Sequence, residues 1–475
     1  MKLIKNYIYN VGYQIFVLIL PLITVPYVSR VLGSEGVGIN AFTNSIISYF
    51  ILFGSIGINL YGNRTIAYIR NDKEKISQTF WEIAFLRMIT ITLSYIIFLI
   101  FLALVSNYKV YYFYQSFLII AAGLDISWFF MGIEDFKKTI TRNTIVKIIS
   151  LMAIFTFVKT SSDVGIYILI LSLSILFGNL TLWPYMKKLV NKPDFSKLNL
   201  KKHIKPSLAL FVPQVATQVY LVLNKTMLGF YSGVEATGYY ENTDKIVKIV
   251  LAVVTATGTV MLPRVANIFA NGDKDGVKRY LYKSFDFVSA ICYPMALGLA
   301  AIAPKFTIWF LSDEFAVTAK LLPVLSLVII LIGWSNVLGT QYLLPTNQNR
   351  YFTTSVVVGA LANLSLNLFL IPSHGVYGAI WATVISEFLV TAVQVYYVRT
   401  NLNIKILFGD NWKYLIGSLI MFGIVRFMNI NMSGTLSGFL IQFMVGTVIY
   451  TLIIFIIKAP IIIQVKELLA SRNKY

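Results

Sequence analysis

The sequence is poor in charged residues and in the groups that catalytic sites need. Charged side chains make up 13% of the chain, whereas soluble proteins carry about 25%. The single cysteine, Cys292, excludes an intrachain disulfide framework, and two distant histidines, His203 and His374, give no basis for a metal site. The chain also lacks a phosphate-binding loop, a nucleophile elbow and a paired-histidine zinc motif. We therefore expect a protein that is not an enzyme and that needs no cofactor or metal.

Apolar residues fill the chain instead. They make up 57% of it, and the mean hydropathy is +0.74. Because about 20 mostly apolar residues cross a bilayer as a helix, the sequence predicts an all-α polytopic membrane protein. We expect about 14 transmembrane helices, near 11–31, 37–60, 80–105, 110–131, 144–160, 164–186, 206–229, 238–262, 284–303, 321–344, 352–372, 375–398, 411–428 and 435–457.

Acidic residues are half as numerous as basic ones, 20 against 40, which gives a net charge of +20. If the N-terminus is cytoplasmic, about 30 of the basic residues fall in inward segments, including the run from Lys187 to Lys205, as the positive-inside rule requires. The pattern predicts a multi-pass protein of the cell membrane with both termini in the cytoplasm. Topology and contact with anionic headgroups account for the charge, so we expect no nucleic-acid partner.

Two segments about 200 residues apart resemble each other. Glu35-Gly36-Val37-Gly38 follows Leu32-Gly33, and Glu235-Ala236-Thr237-Gly238 follows Leu228-Gly229. Each copy stands at the outward turn between the first two spans of a six-span block, so both blocks enter the membrane in the same direction. We predict a parallel pseudo-repeat with an N-terminal lobe (1–190), a basic cytoplasmic linker (191–205), a C-terminal lobe (206–400), and two extra helices with a tail (401–475).

Ionisable residues inside the spans are the candidate functional residues. Such a group costs about 2.5–3.5 kcal/mol at the bilayer centre, so it normally faces a cavity or a partner. We predict that five basic residues hold an anionic substrate, because ammonium and guanidinium groups bind phosphates by charge-assisted hydrogen bonds: Arg30, Arg87, Lys225, Lys245 and Lys248. Four acids are candidates for cavity lining or ion coupling: Asp125, Glu241, Asp244 and Glu387.

Each candidate also has a structural explanation. Arg30, Arg87 and Lys225 lie close enough to span ends to extend towards headgroups. Glu241, Asp244, Lys245 and Lys248 share one helix face, so mutual ion pairing competes with ligand binding. Asp125 is either paired with a cation from another helix or a proton-titrating site, and the pair is favoured.

Seven segments taken together resemble the polysaccharide-transport family of oligosaccharide-lipid flippases. They are PYVSRVLG at 26–33, GVGINAF at 36–42, YGNRTIA at 61–67, DISWFFMGIEDFK at 125–137, MLGF at 227–230, GYYENTDKI at 238–246 and MLPRVA at 261–266. The larger group includes multidrug-and-toxin extrusion (MATE) proteins and lipid II flippases. The resemblance implies a MATE-like fold that alternates access to a cavity. In place of the family's frequent acid before the lysine of the seventh span, this chain has Asn224.

The resemblance also implies the substrate and partners. The substrate would be an undecaprenyl-pyrophosphate-linked oligosaccharide, translocated for capsular or exopolysaccharide biosynthesis. Membrane lipid is the surrounding partner, a polysaccharide polymerase and glycosyltransferases are further candidates, and a monomer is expected. The alternatives are a lipid II or teichoic-type precursor flippase, a MATE-like drug exporter, and, from another class, a membrane polysaccharide polymerase or ligase.

Overall fold

The apolar runs form helices throughout the described chain. The computed structural model describes residues 2–464, apart from the side chains of 2–15, 212, 213, 216, 217, 259 and 260. Over this part of the chain the structure is helical and contains no strand. The fourteen predicted spans fall on helical segments, and four of them extend over two or more successive helices. Ten of the described helices are long and apolar enough to cross a membrane, or eleven if the bent pair Asp313–Leu325 and Leu327–Leu343 forms one span.

The chain divides into two compact units, Met1–Gly238 and Tyr239–Tyr475. The helices of the first unit are α1 (Lys2–Ser55), α2 (Ile58–Ile69), α3 (Lys73–Leu104), α4 (Lys109–Leu124), α5 (Ser127–Gly132), α6 (Phe136–Phe157), α7 (Val164–Leu180), α8 (Trp183–Leu189) and α9 (Lys201–Tyr231). Helix α10 (Val234–Ala270) begins there and continues into the second unit. The second unit also contains α11 (Lys274–Phe310), α12 (Ala316–Leu325), α13 (Leu327–Ser335), a π-helix (Asn336–Leu343), α14 (Asn349–Val398), α15 (Ile404–Phe408), α16 (Asn411–Asn431) and α17 (Leu436–Ile456).

Helices α1 and α14 are each too long to cross the membrane once. They contain 54 and 50 residues, and at 1.5 Å per residue they would measure about 80 Å and 75 Å. A bilayer core is only about 30 Å thick. Each leaves the helical conformation at a glycine, Gly33 (φ 68°) and Gly375 (φ 56°), in the positive-φ region that glycine tolerates best. Each long helix therefore supplies two predicted spans.

The two copies of the sequence repeat touch through their glycines. A Cβ atom added to Gly38 would lie 1.8 Å from the carbonyl oxygen of Val234, and one added to Gly238 would lie 2.2 Å from that of Ser34. Ser34 and Val234, like Gly38 and Gly238, are 200 positions apart. The contact is thus reciprocal, as a two-fold internal repeat requires. Only residues without a Cβ allow the backbones of α1 and α10 to approach this closely.

Residues 191–205, hereafter the strap, are bound to the first unit by a buried acid of α3. The side chain of Glu82 is fully buried. Its Oε2 lies 2.7 Å from Lys202 Nζ and 2.8 Å from His203 Nε2, while its Oε1 accepts a bond from the Asn199 N–H at 2.9 Å. A buried carboxylate needs this number of donors to offset its lost hydration.

His203 is held on both ring nitrogens. Its Nδ1 lies 2.6 Å from the Tyr61 hydroxyl, while Nε2 faces Glu82. Burial lowers the pKa of the His203 imidazole, and the hydrogen bond to Glu82 opposes that change. Because a carboxylate can only accept a hydrogen bond, the neutral ring carries its proton on Nε2 and donates it to Glu82, while Nδ1 accepts from the Tyr61 hydroxyl.

Further contacts fix the first residue of the strap. Trp81 Nε1 donates to the Asn191 carbonyl at 2.8 Å, and the Ser77 hydroxyl accepts from the Asn191 N–H at 3.0 Å. Beyond the strap, α9 packs against α1 and α2. The boundary between the compact units lies at Gly238, so the strap is part of the first unit, to which hydrogen bonds with α3 hold it. Its expected role as the linker between two lobes stays a prediction.

Candidate functional site

The DISWFFMGIEDFK segment forms a break in the helical backbone inside a predicted span. Helix α4 ends at Leu124, and α5 begins at Ser127. Asp125 lies in the break, where its Oδ1 accepts a bond from the Ser127 N–H at 2.9 Å. Breaks of this kind persist at membrane depth only where other groups satisfy the freed backbone atoms.

Side chains from three other helical segments satisfy the last carbonyls of α4. Asn179 Nδ2 donates to Ala121 O at 2.7 Å. Trp183 Nε1 donates to Leu124 O at 2.9 Å. The third donor is the Nε of Arg87, which binds Ala122 O at 2.5 Å. A guanidinium is well suited to this position, since the C-terminal end of a helix carries partial negative charge.

Arg87 is enclosed within the first unit. It is 2% exposed. Besides Ala122 it contacts the Oδ1 of Asn59 at 2.5 Å, and its Nη2 lies 3.7 Å from the Oδ2 of Asp125. Asp125 thus has a cation from another helix, the arrangement that the sequence favoured. These fixed partners make Arg87 a residue that positions the break and Asp125, rather than one that faces an open site.

A cavity of about 550 Å³ adjoins the break, within the first unit. We call it the polar chamber. Asp125 brings a carboxylate to it and is 18% exposed there, while Arg142 and Lys147 bring two positive charges. Polar side chains of α5, α6 and α7 complete much of the wall. The full lining is Leu20, Thr24, Asp125, Ser127, Arg142, Asn143, Val146, Lys147, Ser150, Leu151, Ile154, Tyr167, Leu171, Ile175 and Asn179.

Arg142 is positioned by Asn179, whose amide has two contacts. The Oδ1 of Asn179 accepts a hydrogen bond from Arg142 Nη1, and its Nδ2 binds the end of α4. Helices α6 and α7 meet closely beside this pair, because a Cβ on Gly178 would lie 2.5 Å from a Val146 methyl group. The chamber therefore combines two cations, one of them positioned by Asn179, with hydroxyl and amide groups, which suits a ligand that is both anionic and rich in hydroxyls.

The structure places the other predicted residues in several environments. In the first unit, Arg30 is exposed in α1 and Lys225 is half-buried in α9. In the second unit, Lys245 Nζ lies 3.1 Å from Glu241 Oε1, and Lys248 Nζ lies 2.6 Å from Asp244 Oδ2. Mutual pairing along α10 is therefore present. Glu387 is buried in α14.

Sequence reasoning missed several ionisable residues. Lys147 and Asp286 lie inside predicted spans, which was a sufficient signal, whereas Arg142 falls in a predicted inward connection. Asp286 accepts hydrogen bonds from Tyr414 Oη at 2.6 Å and from Gln464 Nε2 at 2.7 Å. It thereby ties α11 to α16. Among the residues that the structure describes, no group of three His, Cys, Asp or Glu side chains could hold a metal ion.

The chain is similar in sequence to known transporters and flippases. The protein named "Putative O-antigen transporter" of Escherichia coli (strain K12) is 26% identical over 409 residues, which cover 84% of this chain and 98% of that protein. The "Probable low-salt glycan biosynthesis flippase Agl15" of Haloferax volcanii is 22% identical over 265 residues, 56% of each chain. These relatives are named as transporters or flippases, in agreement with the prediction that the chain is not an enzyme.

Solved structures share the fold. The lipid II flippase MurJ in an inward closed conformation superposes with a TM-score of 0.78 at 17% identity, over 96% of this chain and 100% of that one. An inward-facing multidrug resistance MATE family transporter gives a TM-score of 0.57 at 11% identity, over 81% and 97%. The MATE-like polytopic fold is thereby confirmed. The model of the family described as "Polysaccharide biosynthesis protein" matches residues 3–269, more than half of the chain, and the chain therefore belongs to this family, within the polysaccharide-transport flippases that its motifs predicted.

Proposed function

We propose that this protein translocates a polyprenyl-pyrophosphate-linked oligosaccharide across the cytoplasmic membrane by alternating access, for capsular or exopolysaccharide biosynthesis. The observation that carries the proposal is the polar chamber. It brings two cations, a carboxylate, hydroxyls and amides together inside a unit otherwise built from apolar helices. Sugar hydroxyls and phosphate oxygens need such partners, and acyl chains do not.

The basic residues of the two units have different proposed roles. In the first unit, Arg142 and Lys147 bind substrate in the chamber, and Arg30 and Lys225 remain candidate substrate ligands. Arg87 acts through Asp125, which it positions. In the second unit, Lys245 and Lys248 are candidate ligands that exchange their neighbours Glu241 and Asp244 for substrate.

The energy for transport would come from outside the chain. Moving one charge through 100 mV is worth about 2.3 kcal/mol, so the membrane potential or an ion gradient can drive the cycle. The candidates for coupling to an ion are four buried or half-buried acids: Asp125, Glu241, Asp244 and Glu387. Both termini would face the cytoplasm, on the side that the basic residues predict.

The test is deletion of the gene in its host, followed by measurement of undecaprenyl-linked repeat units on each leaflet. We expect them to accumulate on the inner leaflet and to disappear when the wild-type gene is restored. Arg142→Ala and Lys147→Ala should fail to restore export at normal protein levels, whereas Lys187→Ala, an exposed lysine of α8, should restore it. Normal distribution of the repeat units in the deletion strain would contradict the proposal. Accumulation of lipid II instead would assign the protein to the alternative substrate.

A further inference from the structure

A second cavity lies beside the polar chamber in the first unit, between α6 and α7. Its volume is about 860 Å³, and we call it the tail groove. Arg142 and Val146 line both cavities, so the two cavities are neighbours. The lining is Asp135, Lys137, Lys138, Thr141, Arg142, Ile145, Val146, Ile149, Ala153, Ile170, Leu173, Ser174, Phe177, Gly178, Thr181, Leu182 and Tyr185.

The tail groove is basic at one end and apolar along the rest. Lys137, Lys138 and Arg142 stand at the start of α6, with Asp135 as the acid among them. Asp135 forms an ion pair with Lys138 at 2.9 Å, so the end keeps a net positive charge. Thr141 lies next to Arg142 at the edge of the basic end. Further along α6 the groove is lined by four apolar residues: Ile145, Val146, Ile149 and Ala153. From Lys138 to Ala153 the helix rises about 22 Å, the length of a long stretch of hydrocarbon chain.

Helix α6 leaves this groove open to lipid. Among its described side chains, only Thr139 and Ile154 are buried. Ile145 and Ile149, which line the groove, are 51% and 57% exposed. A hydrocarbon chain can therefore enter sideways from the bilayer without opening the unit. On the orientation that the basic residues predict, the basic end lies at the cytoplasmic leaflet.

We propose that the tail groove holds the first isoprene units of the polyprenyl substrate. Its pyrophosphate would lie between Lys137 and Arg142, and its glycan would occupy the neighbouring polar chamber. The inference rests on the proposed function and adds where the tail lies. Three features of this substrate match three adjacent features of the unit. The polyprenyl chain matches the apolar groove, the phosphates match its basic end, and the sugar matches the polar chamber.

The test uses native mass spectrometry of the full-length protein in detergent, with undecaprenyl pyrophosphate as the probe. Uncharged undecaprenol and phosphatidylglycerol serve as the two comparison ligands. Ser174→Trp fills the groove, and Met152→Trp adds the same ring on an α6 side chain that is 65% exposed and outside the lining. Lys137→Gln removes a charge from the basic end, with Lys187→Gln as its control.

We expect the wild type to retain undecaprenyl pyrophosphate more strongly than undecaprenol. An excess of phosphatidylglycerol should not displace it. Ser174→Trp should reduce retention about tenfold, because the added ring excludes several methylene groups from the groove. Lys137→Gln should reduce retention about threefold, as expected for an exposed charge. The two control variants should bind as the wild type does.

Equal retention by the Ser174→Trp and Met152→Trp proteins would overturn the inference. So would equal displacement by phosphatidylglycerol, which would make the groove a site for bulk lipid. If Ser174→Trp lowers the melting temperature, Ala153→Trp fills the other end of the groove and replaces it in the comparison. If a groove-filling variant exports normally in cells, the groove inference fails while the proposed function stands. If the wild-type gene does not restore export to the deletion strain, the proposed function itself fails.

Discussion

Helices α3 and α10 both carry charges inside predicted spans, but they neutralise them in different ways. On α3, Glu82 is paired with the strap, and Arg87 with the break after α4. On α10, each lysine is paired with an acid one turn earlier in the same helix. The charges of α3 therefore fix the positions of other segments, whereas the ion pairs of Lys245 and Lys248 form within α10 itself.

The difference has an energetic consequence. Breaking a buried pair leaves an uncompensated charge and costs about 3–5 kcal/mol. An exposed i,i+4 pair on a helix contributes only about 0.2–0.5 kcal/mol. The charges of α3 are thus suited to holding other segments of the protein in place. Lys248 of α10, whose side chain is 49% exposed, is close to this second case, whereas Lys245 pairs with the buried Glu241.

The largest expected effect is that of Glu82→Ala. The substitution leaves Lys202, His203 and the Asn199 N–H without their common acceptor, so we expect a loss of about 4 kcal/mol in unfolding free energy. Hydrogen exchange should rise in 191–205. Glu74→Ala, in the exposed first turn of the same helix, should cost less than about 1 kcal/mol. Unchanged exchange in the strap would show that Glu82 does not hold it.

The second-largest effect is expected for Arg87→Leu, with a loss of about 3 kcal/mol in unfolding free energy. It removes the donor to Ala122 O and leaves Asp125 without its cation. Adding Asp125→Asn should recover about 1 kcal/mol of that loss, since the double variant no longer carries a lone charge. Thermal melting in detergent measures both. If the double variant is no more stable than Arg87→Leu alone, the two side chains are not coupled.

Gly238→Ala should have a smaller effect, about 2 kcal/mol, the usual cost of overpacking. Its new methyl group would meet the Ser34 carbonyl oxygen at 2.2 Å. Gly38→Ala should behave alike, since the contact is reciprocal. The matched control is Gly423→Ala in α16, where the added Cβ has open space, and melting should not fall. Tolerance of both repeat substitutions would mean that this contact does not hold the repeats together.

The smallest effect on stability belongs to Lys245→Gln, at about 1 kcal/mol, because glutamine can still donate a hydrogen bond to the buried Glu241. We expect it to reduce export of the repeat unit nonetheless, because Lys245 is a candidate substrate ligand. Export with normal protein levels is the measurement, and Lys274→Gln in the exposed first turn of α11 is the control. Normal export by Lys245→Gln would leave the α10 pairs with a purely structural role.

Much of the site was beyond prediction from the sequence. The spans, the turn at Gly33 and the i,i+4 spacing of Glu241 and Lys245 depend on neighbours along the chain, so local patterns predicted them. Asp125 was recognised as a candidate for pairing. Its partner was not identified, because 38 residues separate it from Arg87 in the chain and span periodicity does not show which helices meet.

The sequence by itself determined that the chain is an all-helical multi-pass membrane protein, and the family to which it belongs. Composition and motif order are properties of the chain, and lipid leaves a helical backbone as the available solution. Only the tertiary structure decided that Arg87 is enclosed, that Glu82 holds the strap, and that Arg142 lines both a polar chamber and an apolar groove. The sequence does not show whether a charged side chain is solvated or buried. Its role depends on the groups that packing brings within about 3 Å of it.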